Sequence, residues 1–174
     1  IESQINQLQA IAEQQNVAQH LKDSDISVLN NHETLAISMI EVADAIFYVD
    51  ENLVRHQNTL SSAVLQLARI SIDNQRPYIR AIKIDDAWKV FTSSPLYHND
   101  KIIGLALLKQ PLDPFTEPLT GGNSEQSSLH LEQIEANDSV TRLATIGGEN
   151  EYSVTENSAS YSQKYAIKDS DWQL

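Results

Sequence analysis

Residues Lys101 to Lys109 read KIIGLALLK, a run that suits a strand but shows no polar alternation. A strand that is apolar on both faces has to lie inside a sheet that is covered on both sides. That requirement does most to limit the fold. It calls for further strands on either flank, and for helices or a second layer above and below. The neighbouring sequence supplies both. Ala45 to Val49 is β-rich and bounded by Asp44 and by Asp50-Glu51-Asn52, which reads as a strand ending in a turn. After Pro77 the period is two. Tyr78, Arg80, Ile82 and Ile84 face one way, and Ile79, Ala81, Lys83 and Asp85 the other. Asp85-Asp86-Ala87 turns the chain into Trp88 to Thr92, and Asn99-Asp100 turns it again into the apolar run.

The helical pattern lies mostly upstream. Ile1, Ile5, Leu8 and Ala12 repeat at spacings of four and three, and the pattern fails at Gln15 and Gln19. Residues 1–22 therefore read as a stalk-like helix. It either covers a sheet or begins a short coiled coil, and the second option would give a homodimer through this helix. Asp23-Ser24-Asp25 caps a short helix at Ile26 to Leu29, Asn30-Asn31 interrupts it, and Glu33 to Glu41 resumes. Thr59 caps a further helix carrying Leu60, Val64, Leu67, Ala68 and Ile72, which ends before Pro77. In the last third, Pro111, Pro114 and Pro118 punctuate a stretch in which Phe115 and Leu119 form a short turn. Gly121-Gly122-Asn123-Ser124 reads as a loop, Leu129 to Glu135 and Val140 to Ile146 as a hairpin, and Glu149 to Ser158 as an exposed loop. Tyr161, Tyr165 and Ile167, then Asp171 to Leu174, read as two more strands. The expected class is α+β: one mostly antiparallel sheet with N-terminal helices on one face. The expected organisation is a single domain over 1–174, with a core at 44–112 and a C-terminal meander at 129–174.

Charge narrows the function classes. The 174 residues carry a net charge of −12, which disfavours nucleic acid and anionic lipid as partners. The charge is uneven. Residues 55–109 hold eight basic residues against four acidic ones, a local +4, and the rest of the chain carries −16. There is no cysteine, so disulfides, thiolate metal sites and thiol catalysis are excluded. His20, His32, His56, His98 and His130 show no metal-ligand spacing, so no metal is expected, and no cofactor either. No phosphate-binding glycine loop or nucleophile elbow occurs, and the neighbours Asp85 and Asp86 point apart as turn formers, not as a proton-sharing pair. No catalytic residue is assigned, and the segment is not expected to be an enzyme.

What remains is a binding surface in the positive window. Tyr78 and Arg80 share a strand face, Trp88 follows in the next strand, Tyr97 and His98 end it, and Arg69 comes from the preceding helix. Arginine forks suit carboxylate or phosphate, and Trp and Tyr supply apolar walls with polar tips. Convergence of these six would hold a small anionic ligand. The alternative is that Trp88 and Tyr78 are core and the cations solvated.

The order of a stalk-like helix, a strand ending in Asp50, a helix, and Pro77-Tyr78 leading into three antiparallel strands, with Lys101-Ile102-Ile103-Gly104-Leu105-Ala106-Leu107-Leu108 as central strand, resembles Cache and PAS-like extracytoplasmic sensor domains. Leu129 to Ile134, Arg142-Leu143-Ala144, Gly147-Gly148 and Asp171-Trp172-Gln173-Leu174 resemble the N-terminal extension of membrane-anchored bacterial phosphomannomutase/phosphoglucomutase proteins. The resemblance implies a periplasmic sensor or regulatory domain in a bacterial inner-membrane protein, flanked by membrane helices outside this chain. The mutase's phosphoserine loop, D-G-D metal motif and sugar loop are absent, so a mutase active site would lie elsewhere in the parent. The other implied outputs are a histidine kinase, a chemoreceptor or a cyclic-di-nucleotide enzyme. A ligand-free dimerisation module is the competing reading.

Overall fold

The apolar run does become a covered inner strand. The computed structural model describes residues 2–117, 129–135, 137–146, 164, 166–167 and 172–173. Two compact units divide the chain, Ile1–Pro111 and Leu112–Leu174. In the first, helices α1 (Glu2–Gln14), α2 (Val17–Lys22) and α3 (Ile26–Met39) precede strand β1 (Ala45–Asp50). Helix α4 (Ser62–Asp73) and strands β2 (Tyr78–Ile84), β3 (Ala87–His98) and β4 (Lys101–Pro111) follow. The sheet is antiparallel throughout, in the order β1-β4-β3-β2. The fold class is α+β, as expected.

Each face of β4 has its own core. Ala106 and Leu108 pack with Leu8, Ile11, Val17, Leu21, Leu29 and Ala36 of the three N-terminal helices. Leu105 and Leu107 pack with Val64, Leu67 and Ala68 of α4, together with Phe91 and Ile82. Four inward Leu and Ala side chains on one strand thus seal two layers, and full burial of a leucine side chain contributes roughly 1.5–3 kcal/mol. Both turns predicted from Asp and Asn form with left-handed backbone: Asp85 and Asp86 at φ 48° and 64°, and Asn99 and Asp100 at φ 50° and 62°. Asx side chains tolerate that region because they are short and hydrogen-bond locally.

Three local expectations are corrected. The stalk-like helix over 1–22 is not continuous. Asn16 stands in the left-handed region at φ 51° and separates α1 from α2. The apolar stripe of α1 (Ile5, Leu8, Ile11 and Ala12) is buried within its own unit, so this helix covers the sheet. Asn30-Asn31 does not interrupt α3, because Thr34 and Arg55 bond to Asn30 and the helix is held by tertiary contacts. Ser61, not Thr59, caps α4, its hydroxyl accepting from the Val64 N–H at 3.4 Å.

The second unit does not extend the first sheet. It holds the short helix α5 (Asp113–Thr116) and strands β5 (Leu129–Ile134), β6 (Val140–Ile146) and β7 (Trp172–Gln173), in the order β6-β5-β7. Its centre is Trp172, 2% exposed, whose indole N–H donates to Gln133 Oε1 at 2.9 Å. The Phe115 ring meets Trp172 edge-on at 5.6 Å. The readings at Pro118 to Ser124, Gly147 to Ser158, Tyr161, Tyr165, Asp171 and Leu174 lie outside the described residues.

Candidate functional site

The six residues singled out for anion binding do not meet in one pocket. Tyr78 and Arg80 share the α4 face of β2 with Ile82. The Arg76 guanidinium lies over the Tyr78 ring at 5.9 Å. Trp88 pairs with Lys83, so it points to the opposite face from Arg80. The expected nearness of Trp88 to Arg80 fails for that reason: strand alternation makes neighbours in register, and Trp88 is in register with an odd-numbered residue of β2. Arg69 is exposed and lines a cleft of about 250 Å³ with Glu51, Asn52, Leu53, Ile72 and Asp73. That cleft sits by the end of β1, at the far side of the sheet from β2. Tyr97 follows a bulge at Leu96/Tyr97, and its hydroxyl donates to the Gln75 carbonyl at 3.0 Å.

His98 goes to the other layer. Together with Tyr97, a second of the six, it lines a cavity of about 300 Å³ between the α1–α2 joint and the end of β3, with Gln9, Ala12, Glu13, Asn16 and Leu96. Small-molecule pockets begin near that volume, roughly 300 Å³. Lys22 Nζ donates to His98 Nε2 at 3.4 Å. Neither residue forms an ion pair with a carboxylate among the described residues, although Glu13 lines the same cavity. The sheet beneath this helical layer is also more polar than the α4 face. Thr92, Ser94 and Gln110 are fully buried there, and their side-chain oxygens and amide have no hydrogen-bond partner. Each buried polar group without a partner costs about 1–3 kcal/mol, which weakens the docking of the layer. On the α4 face, by contrast, the Ser93 hydroxyl donates to the Tyr78 carbonyl.

The strongest electrostatic feature was not singled out in the sequence. Glu33 of α3 accepts from Arg55 Nη1 at 2.6 Å, from the Tyr48 backbone N–H at 2.8 Å and from His56 Nε2 at 3.0 Å. Arg55 Nη1 also donates to the Tyr48 carbonyl, and Nη2 to Asn30 Oδ1 at 2.5 Å. The side chains of Arg55 and Glu33 are only 10% and 12% exposed. Asp50 shapes the loop that delivers Arg55, its carboxylate accepting from the Asn52, Val54 and Arg55 N–H groups. Burial, and then the Glu33 carboxylate, push the Tyr48 hydroxyl well above the usual phenol range. That hydroxyl donates to Gln15 Oε1 at 3.2 Å. A signal for this clamp existed, since Glu33, Arg55 and His56 are ionisable residues beside apolar runs, but 22 residues separate acid from arginine.

An imidazole pair joins α2 to α3. The rings of His20 and His32 meet edge-on at 5.3 Å, and His20 Nδ1 lies 3.3 Å from Asp25 Oδ2. Desolvation, and then His20, lower the pKa of His32 from 6.5. The folded state therefore holds His32 neutral at pH values where the unfolded chain has already bound a proton. Its contribution to stability is full above pH 6.5 and is lost as pH falls below 6.5 toward the lowered folded value. Melting followed at pH 7.5 and 5.5 should show a smaller acid-induced drop for His32→Asn than for the wild type. Equal drops would contradict this account.

Among the described residues no cluster of His, Asp and Glu could hold a metal ion, and no helix is long and apolar enough to cross a membrane. No protein-family model matches the chain, and no curated protein matches it either.

Proposed function

We propose that residues 1–111 act as a sensor or regulatory module that responds to a small anionic molecule, in an extracytoplasmic part of a membrane-anchored bacterial protein. The observation that carries this reading is the cavity under the α1–α2 joint, with Tyr97 and His98 in its lining and Lys22 bonded to His98 at 3.4 Å. A carboxylate or phosphate there would meet an imidazole N–H with the Lys22 ammonium bonded to that ring, in a cavity that Glu13 also lines. The joint itself is two residues, Gln15 and the left-handed Asn16, so a molecule that bridges α1 and β3 changes how the helical layer sits on the sheet. The buried, unpartnered Thr92, Ser94 and Gln110 make that layer the less firmly held of the two. The Cache-like and PAS-like order of elements agrees with such a role. The likeness of residues 102–174 to a phosphohexomutase extension names one class of output, which the complete reading frame would test.

The experiment is a melting titration with acetate, succinate and inorganic phosphate. The wild type should show a dose-dependent rise with at least one of them. Lys22→Ala and His98→Ala should weaken the apparent affinity about tenfold, the loss of roughly 1.4 kcal/mol. Arg69→Ala and Arg80→Ala should leave it unchanged. No shift with any anion defeats the reading, and loss confined to the Arg69 or Arg80 variant moves the site to another part of the sheet.

A further inference from the structure

The clamp around Glu33 does more than join α3 to β1. Strand β1 is an edge of the four-stranded sheet, since its only strand partner is β4 among the described residues. Along an edge strand, every second residue turns its N–H and C=O outward, where another strand can pair. At Tyr48 both outward groups are taken by side chains: the N–H by the Glu33 carboxylate and the C=O by the Arg55 guanidinium. One acceptor and one donor thus stand where a neighbouring strand would place its own carbonyl and amide. The period of two gives Ile46 and Asp50 the same outward direction.

The sequence under this cap is the kind that needs one. Ala-Ile-Phe-Tyr-Val at residues 45–49 is uncharged, free of proline and glycine, and rich in β-branched and aromatic residues. Such segments pair readily with copies of themselves when their edge is open. Antiparallel pairing about a two-fold axis at Tyr48 sets Ile46 against Asp50 of the second copy. It uses the same edge on both partners, as an isologous contact requires.

We infer that Glu33 and Arg55 hold the β1 edge shut, and that releasing them opens a surface for β1 of a second copy of this chain. The clamp is then an autoinhibitory contact on a latent homodimer edge. Its partner is fixed by hydrogen-bond geometry and by the self-complementary strand, independently of any ligand in the α1–α2 cavity.

The test compares three forms of the full chain: wild type, Arg55→Leu, and the Glu33→Ala/Arg55→Ala double variant, which removes both charges together. Light scattering over rising concentration reads the mass, and amide exchange reads Tyr48. The wild type should remain a monomer with a protected Tyr48 amide. The double variant should reach twice the monomer mass, with its Tyr48 amide exposed when dilute and protected again in the dimer. Arg55→Leu, which keeps the Glu33 bonds to Tyr48 and His56, should associate more weakly than the double variant. If the double variant lacks a cooperative melt, Arg55→Leu decides alone. Variants that melt cooperatively yet stay monomeric overturn the inference, and so does a dimer in which the Tyr48 amide exchanges freely.

Discussion

Glu33→Ala is expected to lower the unfolding free energy by about 3–5 kcal/mol, the usual cost of leaving a buried ion without its partner. Three donors lose their acceptor at once: Arg55 Nη1, His56 Nε2 and the Tyr48 N–H. Arg55 cannot turn to water cheaply, being 10% exposed and already bonded to the Tyr48 carbonyl and to Asn30. In a chain of this length the melting point should fall on the order of 10 °C. Glu33→Gln should lie between the variant and the wild type, because an amide oxygen can still accept while the charge is gone. Adding Arg55→Met to Glu33→Ala should recover part of the loss, because the orphaned cation is then removed as well. Urea unfolding of the four proteins measures all of this. A loss under about 1 kcal/mol for Glu33→Ala would mean that the clamp behaves as an exposed surface pair.

Gly104→Ala should be the second costly change. Gly104 lies opposite Asp50 in β4, and a Cβ there would stand 2.3 Å from the Val49 carbonyl oxygen, 2.8 Å from Leu21 Cδ1 and 3.3 Å from Asp50 Cα. Two of those three are backbone atoms of the edge strand, so relief requires β1 to move off β4 and not merely a rotamer change. Overpacking of this kind costs about 1–3 kcal/mol and occasionally more, and a backbone clash belongs at the upper end. Leu21→Ala in the same background tests the source of the strain. It should restore little, because the nearest contact is with Val49 and not with Leu21, and it should add its own cavity cost. A Gly104→Ala protein that unfolds within about 0.5 kcal/mol of the wild type would show that the strands tolerate a wider approach.

These two positions differ in how far the sequence revealed them. Gly104 is visible as the one glycine in the apolar run, and a glycine inside a strand marks a close approach of backbone. What approaches it, Leu21 and Val49, is not visible. Glu33 reads locally as one polar residue on a helix. Its three partners lie 15 to 23 residues away and reach it only after α3 has come alongside β1. The ligand prediction divides in the same way. Tyr97 and His98 do line one cavity, but the rest of its lining comes largely from α1 and the α1–α2 joint, where the failure of the apolar pattern at Gln15 showed a break without showing what packs there. Arg69 and Arg80 were grouped because both are cations in one charged window. A window in sequence spans the whole width of a four-stranded sheet.

Sequence alone determined the α+β class, the inner position of β4, the Asp and Asn turns and most strand boundaries. Each of these follows from local chemistry: apolar periodicity decides what must be covered, and short polar side chains decide where the backbone can turn left-handed. The tertiary structure alone decided which face Trp88 takes, the continuity of α3 through Asn30-Asn31, the burial of the α1 stripe against its own sheet, and the pairing of Glu33 with Arg55. The physical reason is common to all four. Pairwise contacts among distant residues depend on strand register and helix placement, and these are fixed by the balance of the whole core rather than by any one segment.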